Sequence, residues 1–377
     1  MKKGLVLMMA LLMVLSLAAC ANNTPAPAAP SAEAPAATDS EAAEASAAPE
    51  ASNEALKVAI VQGIRGDKGF NDQAYRGMEM AAADFGITFD GAECNDLAEV
   101  DAALRNYADA GDYDLIMAVG SNYGDSLALV ASDYPDQKFS LVDTFMDPAP
   151  ENVHWNAAID AEQGFLSGVI SGFVTKGDYP EVFTRANADK NVIVYAGGAD
   201  SPTSRAGAAG YMAGVYYVNP DCEIIYNIVG SYNDPVKAKE IAMNGVARGA
   251  DIITGNCGSG SMGLKEAANE AGCYFIATSL SGLDPVSSLC TSVKLSENQV
   301  YDEIKAVVEG TWTSGGERKG IAAGYCDYSV EGVNIDFPQE LLDKVDAVRE
   351  AIKNGQIQLP TDVDQLDAWK AANQFQG

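Results

Sequence analysis

Histidine is almost absent from this chain of 377 residues: His154 stands alone. No Cys-x-x-Cys pair and no histidine-bearing cluster occurs, which argues against a zinc site. The acids show no metal-ligand spacing, and no nucleophile–histidine pair is available beyond His154. Ser279 is a hydroxyl with no base in view. Positive charge is scarce too. Against 53 Asp and Glu stand only 24 Lys and Arg, a formal net charge of −29. Nucleic acid and anionic lipid are therefore poor partners. After residue 20 there is no further long apolar run, so nothing there reaches the roughly 20 residues of a membrane span. The glycines of Gly63-Ile-Arg-Gly-Asp-Lys-Gly-Phe-Asn71 lack the G-x-G-x-x-G order, and no Lys-Ser/Thr follows them. They do not form a phosphate-cradling loop, and the sequence calls for neither cofactor nor metal.

What is present begins at the N-terminus. Met1-Lys2-Lys3 precedes an apolar run from Leu5 to Leu17, and Leu17-Ala18-Ala19-Cys20 closes it. A basic start, a short apolar stretch and a small-residue boundary make a secretory signal over residues 1–20. A cysteine at that boundary resembles a bacterial lipobox, with Cys20 the lipidation site and an extracytoplasmic, membrane-anchored protein as the result. Residues 21–55 are dominated by Ala, Pro, Ser, Glu and Thr. Such a segment buries too little apolar surface to offset its ordering entropy, and it reads as a disordered tether. Six further cysteines follow: Cys94, Cys222, Cys257, Cys273, Cys290 and Cys326. Export permits disulfides, but several lie in or beside apolar runs, where buried free thiols fit at least as well.

From Leu56 onward short Ile/Val-rich runs alternate with amphipathic stretches. Strands are expected at Lys57–Gln62, Leu115–Gly120, Phe139–Asp143, Val192–Gly197, Ile224–Val229, Asp251–Gly255, Tyr274–Ser279 and Cys290–Leu295. One intervening helix has Ala74, Met78, Ala81 and Phe85 at helical spacing, with Asn71 or Asp72 as its cap and Gly86 as its stop. Regular alternation of this kind implies parallel sheets covered by helices. About 320 residues suit two Rossmann-like lobes better than one sheet. The expected division is 56–157 with 280–325 for the first lobe, and 158–279 with 326–377 for the second. Ligands then sit at the carboxyl ends of the strands, in the cleft between lobes.

Those strand ends carry the candidates. Phe70 offers a face for a flat ligand and Asn71 a donor and an acceptor; alternatively Phe70 seals the helix start while Asn71 caps it. Asp143 ends an apolar strand and is placed to accept from a ligand or to cap the next turn. Tyr232, in Gly230-Ser-Tyr-Asn-Asp234, is a second aromatic. The glycines around Gly258 permit close backbone approach. Lys294 lies inside an apolar strand, so it either snorkels or bonds something polar in the cleft. His154 falls in the Asn152–Asn156 crossing, with a surface or hinge role expected.

With these residues in place, the chain resembles the basic-membrane-protein lipoproteins, the purine nucleoside receptor family, from Leu56 to about Phe337. The carriers are Gly66-Asp-Lys-Gly-Phe-Asn-Asp-Gln-Ala-Tyr-Arg-Gly77, Glu162-Gln-Gly-Phe-Leu-Ser-Gly168, Ala196-Gly-Gly198, Val218-Asn-Pro220, Gly230–Asp234, Gly249–Ile253 and Thr291-Ser-Val-Lys294. The resemblance implies the type I periplasmic-binding fold and no enzymatic activity. It also implies a role as the substrate-binding component of an ABC importer, with a permease and an ATPase as partners and a nucleoside-like ligand. Phe70 and Tyr232 fall at its base-stacking positions, Asn71 and Asp143 at its polar base-binding positions, Gly258 in its cleft glycines and Lys294 on its lysine. Where the family commonly has a ribose-gripping Asp, this chain has Ser279, and Asp284 substitutes only if the loop reshapes. That departure leaves open a free base or another small metabolite, and a sensor of the same fold. A nucleoside-processing enzyme is the weakest reading.

Overall fold

The computed structural model describes residues 55–66, 69–120 and 122–375, within one compact unit, Glu54–Gly377. The signal, Cys20 and nearly all of the tether lie outside the described residues.

The chain first alternates β1 (Lys57–Gln62), α1 (Phe70–Phe85), β2 (Thr88–Glu93), α2 (Leu97–Ala110), β3 (Leu115–Val119), α3 (Gly124–Asp133), β4 (Phe139–Val142) and β5 (Val153–Ala158). It then crosses through α4 (Asp160–Thr175) to β6 (Val192–Gly197), α5 (Pro202–Val218), β7 (Glu223–Ile228), α6 (Pro235–Val246) and β8 (Ala250–Asn256). There follow α7 (Ser261–Ala271), β9 (Tyr274–Ala277) and β10 (Ser288–Lys294). Next, α8 (Ser296–Val308) leads back to β11 (Gly315–Lys319), and β12 (Cys326–Ser329), α9 (Gln339–Lys353) and α10 (Leu366–Ala372) end the chain. The result is two six-stranded sheets, ordered β11-β5-β4-β3-β1-β2 and β12-β10-β9-β8-β6-β7. All pairings are parallel except β10 with β12. This is the periplasmic-binding-protein architecture the sequence implies.

Local chemistry sets these elements. Every residue of β3, Leu-Ile-Met-Ala-Val, is buried, as a central parallel strand covered on both faces requires. At α2 the Asp96 carboxylate accepts from the Ala98 and Glu99 amides at 2.9 and 3.0 Å, and Gly111 in left-handed conformation stops the helix. The chain passes between sheets three times: after β5, after β10 and after β11. The division differs from the expected one at β10, which was assigned to the first lobe but pairs with β9 and β12 of the second sheet. Its buried run from Ser288 to Val293 is covered there, and the crossing follows Lys294.

In the second lobe α4 lies directly on α5. A Cβ on Gly210 would stand 1.8 Å from the Ala161 carbonyl oxygen, and one on Gly214 2.0 Å from that of Phe165. Glycine alone allows backbones this close. The C-terminal helices pack on the same lobe: Leu341, Val345 and Trp369 join the core around Phe165 and Tyr211. Arg205 holds Asp362 through two hydrogen bonds of 2.8 and 2.7 Å. All six described cysteines are buried free thiols.

Candidate functional site

The carboxyl ends of the two sheets meet at an ion pair. Asp143 follows β4 with φ at 64°, a left-handed geometry that Asp tolerates better than most residues. Its carboxylate oxygens lie 3.3 and 3.4 Å from Nζ of Lys294, the last residue of β10 in the other sheet. Lys294 also stands 3.7 Å from Asp160, the first residue of α4, and Asp160 is 3.1 Å from Arg318 of β11. Acid and base thus alternate: Asp143, Lys294, Asp160, Arg318. Burial alone would lower the Lys294 pKa, but Asp143 and Asp160 outweigh it and hold the ammonium charged. Burial raises the Asp160 pKa, against the opposing pull of Lys294 and Arg318. The Arg318 guanidinium sits 5.0 Å above the Phe145 ring. Beside it opens a crevice of about 350 Å³ between Phe145 and Arg318 of the first lobe and Pro202 and Ala206 of the second.

Phe70 and Asn71 open α1 in the first lobe. Phe70 is the first residue of α1 and is half-buried against the core. Gly69 holds the cap position, with no side-chain cap, so the expected cap by Asn71 or Asp72 is not what starts this helix. Asp72 instead accepts from the Gly66 amide at 2.7 Å and ties the preceding loop down. The Asn71 carbonyl accepts from Gln62 Nε2 at 3.2 Å, and the Phe70 carbonyl from Ser296 Oγ at 2.9 Å. The Asn71 side chain lies over Gly63, where a Cβ would approach it to 3.0 Å.

Tyr232, Gly258 and Ser279 come together on the second lobe. Tyr232 is 41% exposed. Its ring rests on Gly198, where a Cβ would come within 2.4 Å of the ring carbons. Its carbonyl accepts from the Gly260 amide at 3.1 Å. Gly258 has φ at 58°, and a Cβ there would meet the Tyr232 carbonyl at 2.7 Å. Gly258 and Ser279 line a common cavity of about 500 Å³ with Met262 and Lys265. Ser279 caps the short turn of residues 280–282, accepting from the Gly282 amide at 3.3 Å. Asp284 does not substitute for it. Its carboxylate accepts from Val286, Ser287 and Asn269 at 2.8, 3.2 and 3.1 Å and is committed to its own turn.

Two expectations change. His154 is neither a surface nor a hinge residue: it is the second residue of β5, half-buried, with Nδ1 2.8 Å from Glu303. Asp160 and Arg318 were missed. Asp160 opens α4 just after β5, whose His154 and Asn156 interrupt its apolar residues, and Arg318 lies in β11, Gly-Gly-Glu-Arg-Lys, too polar to stand out as a strand.

Two parallel-sheet lobes joined by three crossings, with charged and aromatic groups on their facing strand ends, define a protein of the periplasmic-binding class. Residues 56–362 match the profile of the Bmp family, ABC transporter substrate-binding protein PnrA-like, and the chain belongs to that family. The family is one of non-enzymatic substrate-binding proteins; membership implies a small ligand and permease and ATPase partners. The chain is 28% identical over 285 residues to an uncharacterized lipoprotein of Pyrococcus abyssi, covering 71% of this chain and 67% of the relative. It is 25% identical over 332 residues to basic membrane protein D of Borreliella burgdorferi, covering 84% and 91%. A solute-binding protein of an Aeropyrum pernix ABC transporter system shares the fold, with a TM-score of 0.65, 24% identity, and coverage of 84% of this chain and 98% of the other. No helix of the described residues is long and apolar enough to cross a membrane.

Proposed function

We propose that this protein is held at the membrane by lipid on Cys20 and captures a nucleoside-like ligand, with a purine nucleoside as first choice, for an ABC importer. The observation that carries the reading is the Asp143–Lys294 pair, which spans the lobes at their facing strand ends. The pair is only partly withdrawn from solvent, so ligand groups have access to both charges. A base edge and a hydroxyl offer such a pair replacement hydrogen bonds, each worth roughly 1.5–3 kcal/mol when charge-assisted. Phe70 and Tyr232 on opposite lobes supply stacking faces, on the order of 1–3 kcal/mol each. Lobe closure brings the two walls together. A free base or another small aromatic metabolite is the second reading. It is favoured by Ser279, a neutral side chain already capping its own turn, and by Asp284, held by Asn269 and two amides.

Native mass spectrometry of co-purified ligand, followed by calorimetry with inosine, guanosine, adenosine and the free bases, tests both. A purine nucleoside is expected to bind at micromolar affinity or better. Tyr232→Ala and Asp143→Ala are each expected to weaken binding about tenfold or more while the melting temperature stays near that of the wild type. Unchanged affinity in both variants places the site elsewhere. Binding by bases alone selects the second reading. Cys20→Ala is expected to move the protein from the membrane fraction to the soluble one.

A further inference from the structure

The first lobe contains a buried polar stripe that ligand capture does not explain. Strand register places Gln62, Val119, Val142 and Asn156 in one row across the sheet, and Ile60, Met117, Ser140 and His154 in another two residues back. In a pleated sheet both rows face the same side, here the side covered by α1 and α8. On α8 the residues Ser296, Gln299 and Glu303 follow at helical spacing, and all three are buried. Around Glu303 the stripe is joined by hydrogen bonds. Glu303 accepts from Ser140 Oγ at 2.5 Å, Asn156 Nδ2 at 2.7 Å and His154 Nδ1 at 2.8 Å. Asn156 Nδ2 also donates to the Gln299 carbonyl at 3.0 Å.

One end of the stripe touches the cleft wall. Ser296 and Gln62 hold the carbonyls of Phe70 and Asn71, respectively. The other end opens into a flank cavity of about 330 Å³ lined by His154, Glu303, Trp312 and Lys319. Along the way several buried polar atoms have no protein partner: Gln62 Oε1, Asn156 Oδ1, Glu297 Oε2 and both amide atoms of Gln299. Leaving such a group unsatisfied costs about 1–3 kcal/mol, so buried amides of this kind take partners from internal water. A seam meant only to fasten α8 would be better served by apolar side chains, as Val300 and Ile304 on the same helix show.

We propose that the stripe is a proton-responsive link: the His154–Glu303 pair sets how firmly α8 is seated, and through Ser296 of that helix, which holds the Phe70 carbonyl, it sets the Phe70–Asn71 backbone. The flank cavity gives protons access to His154. Facing the imidazole are Glu303, Asp302, Lys305 and Glu309 from α8 and its end, and Glu317 and Lys319 from β11. Trp312 stands edge-on to it, with Lys138 over the indole. Lys319 pairs with Glu317 at 2.8 Å and with Asp302 at 3.3 Å, and Lys305 lies 3.9 Å from Glu309. These charges largely cancel, which leaves Glu303 as the deciding neighbour. Burial disfavours the imidazolium, but Glu303 prevails and the His154 pKa is raised. The protonated pair is therefore the seated state, and it loosens as pH rises through the His154 titration. The effect on ligand affinity rests on the reading of Phe70 and Asn71 as the ligand wall; the link itself does not.

The test has two arms. In ligand-free protein, the backbone amide resonances of Phe70 and Asn71 are followed by NMR from about pH 5.5 to about pH 8.5, alongside the His154 ring carbons. They are expected to titrate with the His154 midpoint in the wild type and to go flat in His154→Gln and Glu303→Gln. Amides that ignore that midpoint, or that titrate unchanged in folded His154→Gln, overturn the proposal. In the second arm, inosine affinity is expected to weaken about fivefold from about pH 6 to about pH 8 in the wild type, and less than about twofold in His154→Gln. If inosine binds at no pH, it is the nucleoside reading that fails, and the amide titration still decides the link.

Discussion

A helix that crosses between the sheets packs, in each lobe, against the helix that follows the lobe's first strand: α4 on α5 in the second lobe, α8 on α1 in the first. The two contacts are built differently. Between α4 and α5 the glycines 164, 168, 172, 210 and 214 let backbone meet backbone, and the adjoining core is aromatic and aliphatic. Between α8 and α1 only Gly77 brings the backbones close. The rest mixes an apolar patch of Ala74, Met78, Ala81, Val300 and Ile304 with Arg76 on Glu297 at 2.5 Å, and beneath α8, toward β4 and β5, lie the buried amide of Gln299 and the Glu303 cluster. Close backbone packing has few alternative arrangements, since a sub-ångström shift produces a clash. A polar seam with water as a partner can be reorganised at small net energy, because one hydrogen bond is exchanged for another. Under the proposal above, two helices in equivalent places give one stiff lobe and one that responds.

The largest expected effect breaks the stiff side. Gly210→Val drives side-chain atoms into the Ala161 carbonyl and is expected to cost more than about 4 kcal/mol, read as loss of folded protein or a collapsed melting temperature. Gly77→Val, where a Cβ would lie 2.5 Å from the Glu297 carbonyl, is expected to be milder because α8 can shift. Equal damage from the two would remove the contrast. Next comes Glu303→Ala, which strands Ser140, His154 and Asn156 together; about 3 kcal/mol of destabilisation is expected in a denaturant titration.

The last effect, no larger than that of Glu303→Ala and spread over a pH range, concerns Asp251, the buried acid of the second lobe. It accepts from Thr175 Oγ1 at 2.8 Å and from the Asn187 amide at 2.6 Å, and burial, only partly offset by these bonds, raises its pKa to about 6. The folded state then binds more protons than the unfolded chain between about pH 4 and about pH 6. Stability from this group is therefore greatest below the ordinary carboxylate pKa and falls as pH rises through about 6, by up to about 3 kcal/mol. Asp251→Asn is expected to flatten that slope in melts across the window. An unchanged slope would assign it to other groups.

Much of this was legible in the residues. The central strand β3 announced itself because both faces are covered, which leaves a continuous apolar run. Lys294 stood out for the opposite reason, a charge in such a run. The strands β2 and β11 did not stand out, since Thr88–Glu93 and Gly315–Lys319 are largely exposed sheet edges. In β5 the polar His154 and Asn156 face the buried stripe, so the strand has a polar inner face in place of the apolar run that marks the other buried strands. That miss hid Asp160 at the end of the same segment. Pairings were beyond reach: Asp143 and Lys294 lie 151 residues apart, and His154 and Glu303 149 apart. Only the fold brings them together.

The three crossings have a mechanical corollary. They are tied to one another: the Ile159 amide donates to the Lys319 carbonyl at 2.9 Å, Ile321 to Glu162 at 2.6 Å, and Leu295 to the Tyr325 carbonyl at 2.9 Å. Neither core closes without chain that returns through the other, because β11 and α8 come home only after β10, and β12 only after β11. With this topology the two lobes are expected to melt as one body, in a single cooperative transition. A ligand that grips both faces should therefore raise the melting point of the entire assembly rather than of the half it touches most.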